Sequence, residues 1–205
     1  MKILSWNVLM FLKKQAGDVI TRTEIICQKI RQINPDVVLL QEASEYFLTE
    51  LEDMCGFIRR VSVQAHAGLC AILTKPDIDG NVRIWPKYAV GIQIGSLEVV
   101  NCHLAPCKEN RAIRQQQIQE ISGSDVLIMG DTNMRSDESV ELRDIAIETG
   151  HTGPTWFHSY FEGTLTGIKE RFDRAYTNTG IDIEEFRVLK ECSGMSDHLP
   201  IYLLI

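Results

Sequence analysis

Short apolar runs recur along this chain, and each ends on a polar side chain suited to chemistry, which limits what the chain can fold into. The clearest is Asp125 to Asn133. Here Val126–Met129 reads as a buried strand, breaks at Gly130 and delivers Asp131 and Asn133 at once. With one residue between them, those side chains point the same way only if the backbone stays roughly extended. Turn chemistry alone would also explain an Asp-Thr-Asn strand end. Repetition of the pattern argues for more. Ile3–Trp6 runs into Asn7, Val37–Leu40 into Gln41 and Glu42, and Leu97–Cys102 into His103. Arg171–Tyr176 carries Asp173 inside a strand-like segment, and Ser196-Asp197-His198 opens onto Pro200–Ile205. Buried strands that all shed polar residues at one end predict a single sheet edge lined with Asn, Glu, His and Asp.

Between these runs the spacing changes. Ile25, Ile26, Ile30 and Ile33 fall at helical intervals, so a helix is expected over 18–34, stopped by Asn34-Pro35. Further helices are expected over 44–55, 109–121 and 136–149, with Gly56 and Gly150 as stops. In the helix expected over 109–121, Arg111 and Arg114 read most simply as a solvated face. Strands are expected over 36–40, 68–74, 88–94, 97–102, 171–176 and 199–205. Gly95-Ser96 joins two of them as a hairpin. The segment 151–169 reads as a loop holding Trp156, His158 and Tyr160. Strands and helices alternate in the first and third quarters, while hairpins dominate the second. The pattern fits an α/β (α+β) four-layer sandwich, two mixed β-sheets flanked by helices.

The 205 residues suffice for one domain spanning 1–205, and 44% hydrophobic residues suffice for its core. There is no linker-like tract, and no apolar stretch reaches the roughly 18 residues of a membrane span. Lys13-Lys14 follow the apolar N-terminal segment, whereas a signal peptide has its charges before it. We therefore expect an intracellular protein, cytoplasmic or nuclear, without a signal peptide. The six cysteines form no CxxC pair, so reduced thiols are expected and a zinc site is not. A formal net charge of −7 argues against a protein that coats nucleic acid, though not against a local basic groove.

Trp6-Asn7, Leu40-Gln41-Glu42, Asn101-Cys102-His103-Leu104, Gly130-Asp131-Thr132-Asn133, Arg171-Phe172-Asp173-Arg174 and Ser196-Asp197-His198 together resemble the endonuclease/exonuclease/phosphatase superfamily, of deoxyribonuclease I-like fold. The resemblance spans nearly the whole chain; each motif is weak alone, and all six occur in order. Thr132, Arg135, Thr155-Trp156, the Arg-Phe-Asp-Arg string, Arg114 and Gln117 are most similar to the 5′-tyrosyl-DNA phosphodiesterase branch. Abasic endonucleases usually carry a bulky apolar residue where Thr132 stands. The chain departs from the family at Leu9, where an acid is common, and at Leu199, where an aromatic is common.

The resemblance implies hydrolysis of a phosphodiester with Mg²⁺, or Mn²⁺ in its place, at a DNA 5′ end carrying a single-stranded overhang or a block; RNA is a further partner. It implies no membrane, no obligate protein partner and a monomer. Glu42, Asn7 and Asp197 are the expected metal shell, since Mg²⁺ takes one or two carboxylates and keeps most of its waters. Asp131 would orient and deprotonate the attacking water, with Asn133 fixing its position. His198 would stabilise charge on the phosphate with Asp173 setting its tautomer, and His103 would be a second imidazole on the phosphate. Arg135, Trp156 and Arg114 are the expected substrate contacts, charge on a phosphate and ring on a base. Two alternatives stay open. One is an abasic-site or small-phosphate phosphoesterase of the same fold; the other is an inactive binding module.

Overall fold

The structure, a computed structural model, describes residues 1–10, 19–161 and 164–205, and the side chains of 159–166 lie outside that description. Lys13-Lys14, the first residue of the expected helix at 18 and the Tyr160 side chain therefore fall outside it. The elements in order are β1 (Lys2–Asn7), α1 (Val19–Ile33), β2 (Val37–Ala43), α2 (Glu45–Cys55), β3 (Ile58–Gln64), β4 (Leu69–Thr74), β5 (Asn81–Trp85), β6 (Ala89–Ile94), β7 (Leu97–His103), α3 (Arg111–Ile121), β8 (Val126–Asp131), β9 (Arg143–Asp144), α4 (Ile145–Glu148), β10 (Trp156–Phe161), β11 (Thr164–Glu170), β12 (Asp173–Thr177), β13 (Glu185–Val188) and β14 (Ile201–Leu204).

Two six-stranded sheets form the body. One runs β13-β14-β1-β2-β4-β3, the other β5-β6-β7-β8-β12-β9. Each is mixed: β1 and β2 are parallel, as are β7 and β8, and the remaining pairs are antiparallel. The near-continuous apolar strands are explained by burial on both faces. Alternate side chains divide between two cores. Ile3, Val37, Leu39, Leu127 and Met129 pack between the sheets. Leu4, Trp6, Val38 and Leu40 meet Ile26, Ile30, Phe47, Leu48 and Leu51 of α1 and α2. On the far side Val100, Val126 and Ile128 meet Ile118 and Ile121 of α3. Three apolar layers therefore separate four layers of structure, as the alternating pattern predicts. Among the described residues, no helix is long and apolar enough to cross a membrane.

Local chemistry sets the boundaries. Ser44 caps α2 by accepting from the Phe47 amide at 3.2 Å, and Gly56 closes it in the left-handed conformation, φ 71°. Two expectations are corrected. Only Ile145–Glu148 of the helix expected over 136–149 is helical, because Asp144 caps a new start there with its carboxylate and Arg143-Asp144 pair with β12 as β9. The expected loop at 151–169 contains the antiparallel hairpin β10–β11, pairing Trp156 with Glu170 and Phe161 with Thr164. Three strands, β3, β5 and β13, were not foreseen. β3 and β5 lie at sheet edges, where most side chains stay in contact with solvent and the apolar alternation fades.

Candidate active site

The parallel pairs β1–β2 and β7–β8 end at one edge of the sandwich and bring their terminal residues together. Asn7 closes β1, His103 closes β7 and Asp131 closes β8, with His103 in register with Asp131. Asp173 opens β12 directly opposite Asp131. His198 precedes β14 and forms an isolated bridge with Trp156. Glu42 comes from a bulge in β2: pairing with β4 jumps from Leu40 to Ala43, and Glu42 takes φ 54°. Two glycines permit this convergence. A Cβ at Gly130 (φ +148°) would lie 2.1 Å from the Cys102 carbonyl oxygen, and one at Gly68 (φ +64°) would lie 2.8 Å from that of Ala43, beside the Glu42 bulge.

Behind the site a buried clamp joins the sheets. Gln41 Nε2 donates to Asn101 Oδ1 at 2.6 Å and to Ser5 Oγ at 3.1 Å. Asn101 Nδ2 donates to the Leu40 and Ala71 carbonyls, both at 2.8 Å. These residues directly precede Glu42 and nearly adjoin His103.

Hydrogen bonds fix the carboxylates. Asn7 Nδ2 donates to Glu42 Oε1 and Asp131 Oδ2, each at 3.0 Å. The Asn133 amide donates to Asp131 Oδ1 at 3.0 Å, and Asn133 Nδ2 to the Leu104 carbonyl at 3.1 Å. His198 Nδ1 lies 2.8 Å from Asp173 Oδ2, so its Nε2 faces Asp131 Oδ2 at 3.7 Å. The Asp173 amide donates to Thr155 Oγ1 at 2.9 Å. His103 Nε2 lies 3.6 Å from Asp131 Oδ2 and 3.8 Å from Glu42 Oε1.

The environment separates the protonation states. Burial pushes Glu42 up to about 7; Asn7 and the charge of His198 oppose this, while Asp131 and Asp197 reinforce it. Burial lowers His103 and favours its neutral imidazole. Burial would lower His198 as well, but the charges of Asp173, Asp131 and Asp197 and the Asp173 hydrogen bond raise it well above its ordinary value. The surroundings therefore favour the neutral form of His103 and a proton held between His198 and Asp173.

Glu42, His103 and Asp131 present ligand atoms within 4.8 Å of one another, a group able to hold a metal ion. Glu42 is common to this group and to the metal shell expected from sequence, and Asn7 and Asp197 lie beside it. Asn7 turns its amide nitrogen to both carboxylates, and its oxygen accepts from the Leu9 amide at 3.2 Å. Asp197 has both oxygens engaged, one by Trp156 Nε1 at 3.2 Å and the other by Ser196 Oγ at 3.3 Å. A divalent cation fits the converging group on one direct observation: Glu42 Oε2 is buried with no hydrogen-bond partner among the described residues. Carboxylate oxygens suit Mg²⁺, and the imidazole admits Mn²⁺.

The expected substrate contacts divide. Arg135 and Trp156 share a platform on Phe172: the Arg135 guanidinium lies 4.9 Å and the Trp156 ring 5.0 Å from the Phe172 ring. Both are partly exposed, and Arg135 also lies 3.6 Å from Glu170. Arg114, by contrast, is fully buried and cannot contact substrate or form a solvated face. It makes a two-pronged ion pair with Glu138, at 2.6 and 3.1 Å, and donates to the Ala105 and Cys107 carbonyls. It thus fastens the loop after His103 to the loop after Asn133. Sequence reasoning missed the role of Glu138 and the Gln41–Asn101 clamp, since their partners lie 24 and 60 residues away.

The sequence matches the endonuclease/exonuclease/phosphatase family over residues 4–198. No curated protein matches it. Among solved structures, the fold is similar to D. rerio TDP2 complexed with single-strand DNA product, at TM-score 0.76 and 19% identity, covering 99% of this chain and 97% of that one. It is similar to a truncated Caenorhabditis elegans TDP2, at TM-score 0.73 and 23% identity, covering 98% and 96%. It is also similar to a mannosyl-6-phosphatase from Bacteroides thetaiotaomicron, at TM-score 0.70 and 14% identity, covering 100% and 98%. The strand-end residues, the two-sheet sandwich that gathers them and the family match over almost the full length lead to one conclusion: this chain belongs to the endonuclease/exonuclease/phosphatase family, with the DNase I-like fold.

Proposed function

We propose that this protein is a divalent-metal-dependent phosphodiesterase acting at a DNA 5′ end, with 5′-phosphotyrosyl DNA as its substrate. One observation carries the reading: Glu42, Asp131 and neutral His103 converge within 4.8 Å, beside the imidazolium that Asp173 holds. Glu42, with His103 as a nitrogen donor, would hold Mg²⁺ or Mn²⁺ beside Asp131, and the cation would supply charge to the phosphoryl oxygens and lower the pKa of water.

The protein's own groups do the rest. Asp131 is steadied through Oδ1 by the Asn133 amide and through Oδ2 by Asn7, so it can orient a water and take its proton. His198 Nε2 carries its proton toward the phosphate and stabilises charge there, because Asp173 occupies the other ring nitrogen. Phosphoryl transfer asks mainly for such positioning and charge stabilisation. A tyrosine phenolate, with an ordinary pKa near 10, departs without a strong acid.

The surroundings support a single strand as the occupant. The platform of Arg135, Trp156 and Phe172 offers one cation and two rings beside the site. A cleft of about 370 Å³ is lined by Lys169, Glu170, Arg171 and Arg174, and its Glu170 lies 3.6 Å from Arg135 of the platform. The D. rerio TDP2 structure of the same fold contains a single-strand DNA product. A small phosphate ester is the second reading. It is favoured by the overall charge of −7 and by the pairing of Arg135 with Glu170 and of Arg171 with Asp144.

The test is release of tyrosine from a 5′-phosphotyrosyl oligonucleotide with and without Mg²⁺, with an abasic duplex assayed beside it. Mg²⁺-dependent release from the first substrate alone, lost in Asp131→Asn, is the expected result. Cleavage of the abasic duplex alone would move the protein to another branch of the family. Activity only on small phosphate esters, unchanged by Trp156→Ala, would establish the second reading.

A further inference from the structure

Thr155 immediately precedes β10 and is fully buried. Its backbone is held on both sides. The amide donates to the Glu170 carbonyl at 2.9 Å, and the carbonyl accepts from the Leu199 amide at 2.7 Å. The Phe157 amide donates to the Asp197 carbonyl at 3.0 Å, and Trp156 bridges His198. The segment 197–199 is therefore seated along the start of β10. The Thr155 side chain turns to a third segment, where Oγ1 accepts from the Asp173 amide at 2.9 Å. Asp173 Oδ2 is engaged by His198 Nδ1 at 2.8 Å, while Oδ1 is buried without a partner of ordinary hydrogen-bond geometry among the described residues. Burial pushes the Asp173 carboxyl up; the charge and hydrogen bond of His198, and hydrogen bonding by the Thr155 side chain, oppose this.

We propose that Thr155 is a positioning residue for the reaction: its hydroxyl anchors Asp173 at the backbone amide and offers its proton to the Asp173 carboxylate, which keeps Oδ2 aimed at His198 Nδ1. A hydroxyl has both functions, since it accepts one bond while donating another. The need for it follows from the topology. Asp173 opens β12 and His198 precedes β14, and these strands belong to different sheets. The last torsion of an aspartate is soft, so one bond to an imidazole does not fix the carboxylate. Thr155 touches both partners, one through its side chain and the other through its backbone. Its β-branched side chain is itself stiff, which suits it to hold a neighbour in place.

The rate readout rests on the proposed hydrolysis, so a second readout needs no substrate. In the full protein, Thr155→Val keeps the shape and removes the hydroxyl, whereas Thr155→Ser keeps the hydroxyl. On a 5′-phosphotyrosyl oligonucleotide with Mg²⁺, Thr155→Val should lower kcat by about 10–100-fold with KM little changed. Thr155→Ser should recover most of that loss. Combined with Asp173→Asn, Thr155→Val should add little, because both act on one carboxylate. In the metal-free protein, the proton resonance of His198 Nδ1–H, followed by NMR, should shift or broaden in Thr155→Val and persist in Thr155→Ser. Thr155→Ala replaces Thr155→Val in both measurements if the latter does not fold. A wild-type protein that releases no tyrosine would remove the hydrolytic reading, and the resonance would still decide the role of Thr155. The proposal is overturned if the resonance is the same in all three proteins, if Thr155→Ser is as slow as Thr155→Val, or if the losses from Thr155→Val and Asp173→Asn multiply.

Discussion

Glu42 carries its charge at a cost, because its carboxylate is buried and Oε2 has no partner among the described residues. An acid whose folded value exceeds its unfolded one stabilises the fold in its protonated form. For Glu42 the contribution is complete below about 4.5 and disappears as pH rises through about 7. The metal-free protein should therefore lose thermal stability between about pH 5 and about pH 8, by an amount on the order of 3 kcal/mol. Glu42→Gln should flatten that slope, and Mg²⁺ should restore stability most at the alkaline end. A slope unchanged by the substitution would show that the group is hydrated. At the same scale, Asp131→Asn should lower turnover by about 10²–10⁴-fold with little change in substrate KM. Asp173→Asn should also lower kcat, by roughly 10²-fold or more, and move the alkaline limb of the pH–rate profile that the imidazolium sets to lower pH. A D173N enzyme with an unaltered alkaline limb would exclude His198 from that role.

Elements matter through what they fasten. The Arg114–Glu138 pair is buried at both ends and ties α3 to the loops after β7 and β8. Arg114→Ala leaves the buried Glu138 charge with only the Arg135 amide as donor, at 3.1 Å, and should cost about 3–5 kcal/mol in denaturant unfolding. Arg114→Leu with Glu138→Leu should recover much of that loss, which a direct substrate contact would not allow. The Gln41–Asn101 clamp joins the sheets just behind Glu42 and His103. Asn101→Ala strands the Leu40 and Ala71 carbonyls, so it should cost about 2–3 kcal/mol and weaken Mg²⁺ affinity alongside. Stability lost with metal affinity intact would limit the clamp to folding.

For the whole molecule, a charge of −7 and one small cleft containing Lys169, Arg171 and Arg174 limit how much backbone can be gripped. Binding to a 5′-blocked oligonucleotide should be confined to a few nucleotides and weaken only shallowly with salt. A steep dependence, measured by titration across ionic strength, would require more phosphate contacts than this cleft supplies and would overturn the prediction.

Some of this was decided locally and some only in three dimensions. The apolar runs and their polar ends determined the two-sheet sandwich, the helices packed on its faces and the identity of Asn7, Glu42, His103, Asp131, Asp173 and His198 as strand-end residues. These follow from periodicity and from where each run stops, which short stretches of chain encode. The tertiary structure decided which way each side chain faces. It turned Asn7 into a donor to two carboxylates, set His103 beside the acids rather than apart from them, and sent Arg114 inward to Glu138. It also made a hairpin of residues expected to form a loop and cut the helix expected over 136–149 to its last turn. Those outcomes depend on partners distant in sequence, such as the 124 residues between Asn7 and Asp131, and no local pattern records them.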